Sequence, residues 1–435
     1  MPETPQIAFI GTGNMGRPMI MELLKKGYPV KVYDKFREAA EPVVAAGAIW
    51  TNTPKETAIG SDVVITCLPL PTHVREVIVG EQGALEGMAP GTTWIDLSTT
   101  DYHNTLYVAG VAKEKGVFSL ETPVSNLSHM GVDFANSSIY AAGDQAVYEK
   151  IQPVLNTIGQ ISFYVGEIGT AQAVKLLTNL LFYVSTAICG ECLAIAQEAE
   201  IPLHWMWWEH MPNSQGHSVV SEQVMPFLLD GSYDRSCSLE IGVKDMGLTV
   251  KLADELGVAL PLGRIVNEQF VEAGRRYDPQ DRHLKVCKVT EDGNNLPLRI
   301  PDFTAPSKYG ANPDYVRSEK MMTDSYGRSK PEVPDAYAST PYQPTDSQLD
   351  LAQTLTGFMA YTNHIALEEA YALGQSRGLS QKTVADCILW SVGTCWVADN
   401  YGSYQPESSI LDKMAAIDTK LTLPTTTKIL SLLRG

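Results

Sequence analysis

A short apolar run, Ile7–Ile10, leads directly into Gly11-Thr12-Gly13-Asn14-Met15-Gly16. A helical pattern over Arg17–Lys26 follows and is closed by Gly27. Strand, glycine-rich turn and helix in that order commit this part of the chain to a βα unit whose turn faces a dinucleotide. Gly11 permits the tight turn, Gly13 lets the backbone approach a pyrophosphate, and Gly16 lets the helix pack closely on the strand. Asn14 and Met15 complete the turn. The helix start then presents free N–H groups and its positive dipole end to the phosphates. Asp34 ends the next strand. A carboxylate there accepts from ribose hydroxyls and repels a 2′-phosphate, which favours NAD over NADP. Lys35 and Arg37, close by, are the cations that would tolerate the extra phosphate.

The alternation continues. Val30–Tyr33, Val63–Leu68 and Thr93–Leu97 are apolar without polar alternation and are separated by helical stretches. That pattern predicts a parallel sheet covered on both faces, an α/β Rossmann dinucleotide-binding domain over residues 1–166. After Gly169 the character changes. Thr170–Glu200 reads as one long apolar helix whose only glycine is Gly190, and Val243–Leu256 reads as another, ending at Gly257. Residues 167–295 are thus expected to form an all-α domain. Residues 296–347 are rich in Pro, Tyr, Ser, Asp and Gly and have no sustained period, so they read as an irregular connector. Helical pattern resumes at Gln348 and fills 348–435.

The two helical regions resemble each other. Setting Leu177–Ile201 against Leu355–Leu379 without gaps pairs Leu177 with Leu355, Thr178 with Thr356, Tyr183 with Tyr361, Glu191 with Glu369, Ala194 with Ala372 and Gln197 with Gln375. The all-α domain is therefore expected to be internally duplicated, with residues 348–435 a degenerate second copy. In that copy Gln353 and Gly357 stand where the first has Lys175 and Asn179.

Charge and cysteine usage exclude several classes. The formal net charge of the 435 residues is -17, which opposes binding to nucleic acid or to an anionic membrane surface. Seven scattered cysteines fit a reducing compartment rather than a disulfide framework. Cys189 and Cys192 form a CxxC pair inside a helical pattern with no second pair spaced for zinc, so they read as small core side chains and no metal is expected. No apolar run reaches the roughly 18 residues of a membrane span, and the first strand starts almost at once, so a cytoplasmic location is expected.

Several motifs, in order, resemble those of the β-hydroxyacid dehydrogenases, the family of 3-hydroxyisobutyrate dehydrogenase, tartronate semialdehyde reductase and the 6-phosphogluconate dehydrogenases. They are the glycine turn continuing into Arg17-Pro18-Met19, Cys67-Leu68-Pro69, Asp96-Leu97-Ser98-Thr99, Pro123-Val124-Ser125, Gly169-Thr-Ala-Gln-Ala-Val-Lys175 with Asn179, and Lys244-Asp245. The resemblance covers about residues 6 to 262. It implies an NAD-dependent oxidoreductase acting at C3 of a small 3-hydroxy acid, with Lys175 moving the hydroxyl proton. It assigns Ser125 and Asn179 to the substrate's carboxylate or hydroxyl, and Asn126, next to Ser125, is a further substrate-binding candidate. Ser98 and Thr99 would line the nicotinamide and substrate region, Leu68 and Pro69 would lie along the cofactor, Lys244 would close over it, and Asp245 would fix a helix start. It also implies a homo-oligomer, a dimer in the short members. The residues agree: a lone lysine buried in an apolar helix is a candidate base, and Asn179 lies one turn further on the same face.

The chain departs from the family pattern. Asn126-Leu127 follows Ser125 where Gly-Gly is usual, Ala171 replaces a glycine, and Thr178 stands where Asn is common. The substrate is therefore expected to differ from hydroxyisobutyrate, and no Lys-Gly-Thr-Gly-rich stretch of a phosphogluconate enzyme is present near the C-terminus. His129 is a loop histidine near Ser125, and His217 and Ser218 are further polar candidates. Trp205, Trp207 and Trp208, with His204, Glu209 and His210, read as interface packing or as the wall of a pocket for a bulky substrate. The alternatives to the dehydrogenase reading are an imine reductase-like enzyme, against which Lys175 speaks, and a non-catalytic NAD-binding protein.

Overall fold

The computed structural model describes residues 4–125, 137–233, 237–305 and 342–434. The chain divides into two compact units, Met1–Lys175 and Leu176–Gly435.

The first unit is built on one sheet of nine strands: β1 (Ile7–Ile10), β2 (Val30–Tyr33), β3 (Ile49–Trp50), β4 (Val63–Thr66), β5 (Thr93–Asp96), β6 (Phe118–Glu121), β7 (Val124–Ser125), β8 (Ser138–Gly143) and β9 (Ile161–Gly166). Their order is β3-β2-β1-β4-β5-β6-β8-β7, with β9 beside β8. β1 to β6 are all parallel. The expectation of a parallel sheet fails at one edge, where β8 runs antiparallel to β6 and β7. An antiparallel neighbour needs no helical crossover, so a glycine- and serine-flanked strand can be added there directly.

Every residue of β1 is buried, and its side chains serve two cores. Ile7 and Phe9 pack with Met19, Ile20 and Leu23 on one face, while Ala8 and Ile10 pack with Val74, Ile78 and Trp94 on the other. This is why the strands lack polar alternation. β1 lies between β2 and β4, where successive connections leave in opposite directions. The crevice beyond the carboxyl ends of such strands is the ligand position of open α/β sheets.

Helix Thr170–Glu198 begins in the first unit and runs on into the second. It is apolar enough over one 18-residue window to cross a membrane by length and composition, with mean hydropathy 1.5. That window is wholly buried within the protein, as befits a core helix. The second unit adds helices Leu239–Leu256, Pro261–Arg276, Lys285–Asn294, Asp346–Ser376, Gln381–Leu389 and Pro424–Arg434, among shorter ones. Asp346–Ser376 starts on a reciprocal capping box between Thr345 and Gln348, which explains why helical pattern resumes there. Most of the connector, residues 306–341, lies outside the described residues.

Contacts within the second unit come in matched pairs. Ser185 donates to Asn363 Oδ1 at 2.7 Å, across a separation of 178 residues. Glu191 accepts from Thr425 N at 2.8 Å and Thr426 N at 2.6 Å. Glu369 accepts from Leu262 N at 2.6 Å and Gly263 N at 3.0 Å. Each glutamate thus caps a helix that opens with proline, one from each half of the unit. A Cβ on Gly216 would lie 2.7 Å from Thr356 O and one on Gly393 would lie 2.6 Å from Thr178 O. Val219 N donates to Thr394 O at 3.0 Å, and Trp396 N donates to His217 O at 2.9 Å.

Candidate active site

The glycine turn has the shape its sequence requires. Gly11 has φ +102°, and a Cβ there would sit 2.3 Å from Cys67 O. A Cβ on Gly16 would sit 2.0 Å from Gly11 O, while one on Gly13 would meet nothing within 4 Å. Gly13 and Asn14 are exposed. Met15 occupies the N-cap of helix Gly16–Lys25 without a side-chain cap bond, and the first turn has no acidic residue. These features fit a bound dinucleotide: an open backbone approach at Gly13 and a helix start with no acidic residue to repel phosphate.

Asp34 is held in place. Its Oδ2 accepts from Thr12 N at 2.7 Å and Thr12 Oγ1 at 3.1 Å, and its Oδ1 accepts from Phe36 N at 2.9 Å. The Arg37 guanidinium lies over the Trp50 ring, 5.6 Å from its centroid. The next loop is braced as well. Leu68 N donates to Ser98 Oγ at 2.9 Å, and Ser98 N donates to Asp96 Oδ1 at 3.1 Å. Leu68 is half-buried and Pro69 exposed. Burial, then Asp96, pushes the Cys67 thiol up to about 12, which leaves it unreactive.

Around the start of the lysine helix, Gln172 Nε2 donates to Ser98 O at 2.9 Å and Gln172 Oε1 accepts from Thr100 N at 3.0 Å. Glu121 Oε1 accepts from Gly169 N at 2.8 Å and Ala171 N at 2.6 Å. Burial raises the Glu121 carboxyl to about 8, against the lowering effect of those amides. Ser125 is buried on β7 opposite Ser138, and Thr99 is half-buried. Asn126, with Leu127 and His129, lies outside the described residues. Lys175 is the one residue from Ala171 to Ala196 that is not buried. The expectation of a buried lysine is thus corrected: Lys175 is partly exposed on an otherwise covered stretch of helix.

In the second unit, Asn179 Nδ2 donates to Asp245 Oδ2 at 2.8 Å, and the Tyr183 hydroxyl lies 3.4 Å from the same oxygen. Lys244 Nζ lies 3.1 Å from Asp245 Oδ1. Asp245 does not fix a helix start. Helix Leu239–Leu256 is capped by Ser238, which accepts from Ile241 N, and Asp245 is buried in the second turn beyond it. Burial, then Cys237 and Asp245, holds the Tyr183 hydroxyl well above its ordinary range, so it stays protonated as a donor.

Other candidates make contacts within their own unit. His217 Nε2 is 2.8 Å from Glu222 Oε2, and Ser218 shares a local turn with Ser221. Trp207 Nε1 donates to Ser221 O at 2.9 Å, and its ring lies 5.3 Å from Phe303. Trp205 stacks on His210 at 5.1 Å. Trp205 and Trp207 are buried, and Trp208 is half-buried with its ring 5.4 Å from that of Trp207. The seven cysteines are free thiols, with Cys189 and Cys192 buried in their helix. Sequence reasoning missed Glu121, Gln172, Thr12 and Tyr183, each of which holds a named site residue or its helix.

Two family models account for most of the region containing these residues. The NAD binding domain of 6-phosphogluconate dehydrogenase matches residues 6–166, and the NAD-binding domain of NADP-dependent 3-hydroxyisobutyrate dehydrogenase matches residues 169–290. 2-(Hydroxymethyl)glutarate dehydrogenase of Eubacterium barkeri is 34% identical over 276 residues, which is 63% of this chain and 91% of that protein. The chain belongs to the β-hydroxyacid dehydrogenase family. Glyoxylate/succinic semialdehyde reductase 2 of Arabidopsis thaliana, a chloroplastic protein, is 28% identical over 61% of this chain and 74% of its own length. Among solved structures, 3-hydroxyisobutyrate dehydrogenase of Salmonella typhimurium superposes with TM-score 0.61 at 25% identity, over 65% of this chain and 99% of that one. The family is one of NAD(P)-dependent 3-hydroxyacid dehydrogenases.

Proposed function

We propose that this family member uses NAD and transfers hydride between nicotinamide and C3 of a small 3-hydroxy acid, with Lys175 as general base in oxidation and general acid in reduction. The observation that carries the reading is the position of Lys175, the single partly exposed residue on a covered stretch of helix, within the family's own motif. Bound NAD supplies the hydride acceptor. Lys175 takes the proton from the C3 hydroxyl as that hydroxyl carbon becomes a carbonyl, and returns it in the reverse direction. Asn179, one turn on, and Ser125 hold the substrate's hydroxyl or carboxylate. Ser98 and Thr99 shape the nicotinamide side, Leu68 and Pro69 border the cofactor, and Lys244 closes over it.

NAD is preferred to NADP on this reading. Thr12 and Phe36 fix the Asp34 carboxylate where a 2′-phosphate would be repelled, and Arg37 is engaged on Trp50. The substrate class follows the relative named for 2-(hydroxymethyl)glutarate, itself a 3-hydroxy acid.

We further read the helical unit as an internal duplication with one functional half. The paired caps of Glu191 and Glu369 support it, as do the paired Gly216 and Gly393 approaches and the Ser185–Asn363 bond between equivalent positions. Gln353 and Gly357 replace the lysine and asparagine in the second half, so one site per chain is expected.

The test is NADH formation across aliphatic, aromatic and dicarboxylic 3-hydroxy acids, with NADP in parallel. Turnover of at least one with NAD supports the reading. Silence on all of them, with NADH still bound, contradicts it.

A further inference from the structure

One deeply buried ionisable side chain beside the start of the lysine helix is one the reaction itself does not use. Glu121 is 1% exposed and ends β6, next to Asp96 at the end of β5. Its Oε1 takes two amides, Gly169 N and Ala171 N, from the start of helix Thr170–Glu198. Its Oε2 is buried without a hydrogen-bond partner among the described residues. Gln172 adds a second tie from the same turn to the Ser98–Thr100 loop, through both ends of its amide. Lys175 follows Ala171 by one helical turn.

We propose that Glu121 is the positioning residue of the lysine, fixing the first turn of its helix to the carboxyl edge of the nucleotide-binding sheet. The proposal rests on Lys175 being the proton-transfer residue. A glutamate that merely capped a helix could be satisfied at the surface by any short polar side chain. Here a long side chain crosses from a strand end, is fully desolvated, and reaches two amides that precede the lysine by less than two turns. Burying a carboxyl with one oxygen unpaired carries a desolvation cost, which a purely structural cap at this place would not need. The return is geometric: a misplacement of about 1 Å at a reacting group can lower a rate on the order of a hundredfold.

The test compares Glu121→Ala, Glu121→Gln and wild type in three measurements: steady-state kinetics on the best 3-hydroxy acid, NADH affinity by fluorescence, and hydrogen exchange of the peptide spanning residues 167–176. Glu121→Ala is expected to lower kcat by on the order of a hundredfold, with the Kd for NADH changed by less than about threefold, and to speed exchange at Gly169 and Ala171. Glu121→Gln retains the accepting oxygen and should recover kcat to within about fivefold of wild type. The proposal is overturned if Glu121→Ala keeps kcat near wild type, or if Glu121→Gln is as slow as Glu121→Ala while its exchange stays protected. Should Glu121→Ala not fold, Glu121→Gln and its exchange pattern carry the test. The exchange measurement reads the clamp without any turnover. A wild type that oxidises no hydroxy acid therefore counts against the proposed function, and unchanged exchange in Glu121→Ala counts against the clamp.

Discussion

Asn179 gives its side-chain amide to Asp245 across 2.8 Å, from one helix of the second unit to another. The bond orients the amide, because one end of it is committed to a buried carboxylate. A hydrogen bond to a charged group contributes roughly 1.5–3 kcal/mol. Asn179→Ala and Asp245→Ala should each lower kcat/KM by on the order of tenfold or more, and the double variant should be little worse than the poorer single one. Fully additive losses in that cycle would show that the two residues act separately.

Two glycines of the turn, Gly13 and Gly16, should respond differently to the same methyl group. Gly13→Ala meets nothing within 4 Å, so the fold should tolerate it, while the added carbon stands where the pyrophosphate approaches. Its melting temperature should stay within about 2 °C of wild type while NADH binds more than about tenfold more weakly. Gly16→Ala drives a Cβ to 2.0 Å from Gly11 O and should lower stability directly. Thermal melts and NADH titrations on the two variants check this. Equal loss of stability in both would contradict it.

Much of this was legible in the sequence, because the signals are local. The strand, glycine turn and helix occupy consecutive residues, and the long helix announces itself by its apolar period and its lack of proline. The ends of helix Leu239–Leu256 show the limit. Gly257 was readable as its stop and adopts φ +63°, but its start is set by Ser238, so Asp245 was misplaced at a cap it does not form. Glu121 and Gln172 were not legible at all. Their partners are 48 to 74 residues away, and no spacing rule links a strand end to a helix start over that distance. The antiparallel β8 was missed for the same reason, since pairing direction is decided between strands and not within one.

Asp34 should set cofactor choice through its charge. Asp34→Asn keeps an acceptor for Thr12 N but removes the repulsion of a 2′-phosphate. The ratio of kcat/KM for NAD to that for NADP should fall by on the order of tenfold. An unchanged ratio would shift the discrimination away from Asp34.

Glu369 ties stability to pH. Burial raises its carboxyl to about 7 despite the Leu262 and Gly263 amides. The folded state therefore keeps a proton that the unfolded chain releases near its ordinary value of about 4.3. The stabilisation is complete below that value and is lost as pH rises through about 7. Wild type should lose stability relative to Glu369→Gln between pH 5 and pH 8, measured as urea midpoints at each pH. Parallel curves would contradict the assignment.

The central claim concerns Lys175, and the most direct measurement is single-turnover hydride transfer by Lys175→Ala beside wild type, with NADH affinity measured on the same samples. Loss of the proton-transfer group should slow the chemical step on the order of a thousandfold while NADH affinity stays within about threefold. A variant that keeps more than about a tenth of the wild-type rate would mean that another group moves the proton and that Lys175 is not the general acid and base of the reaction.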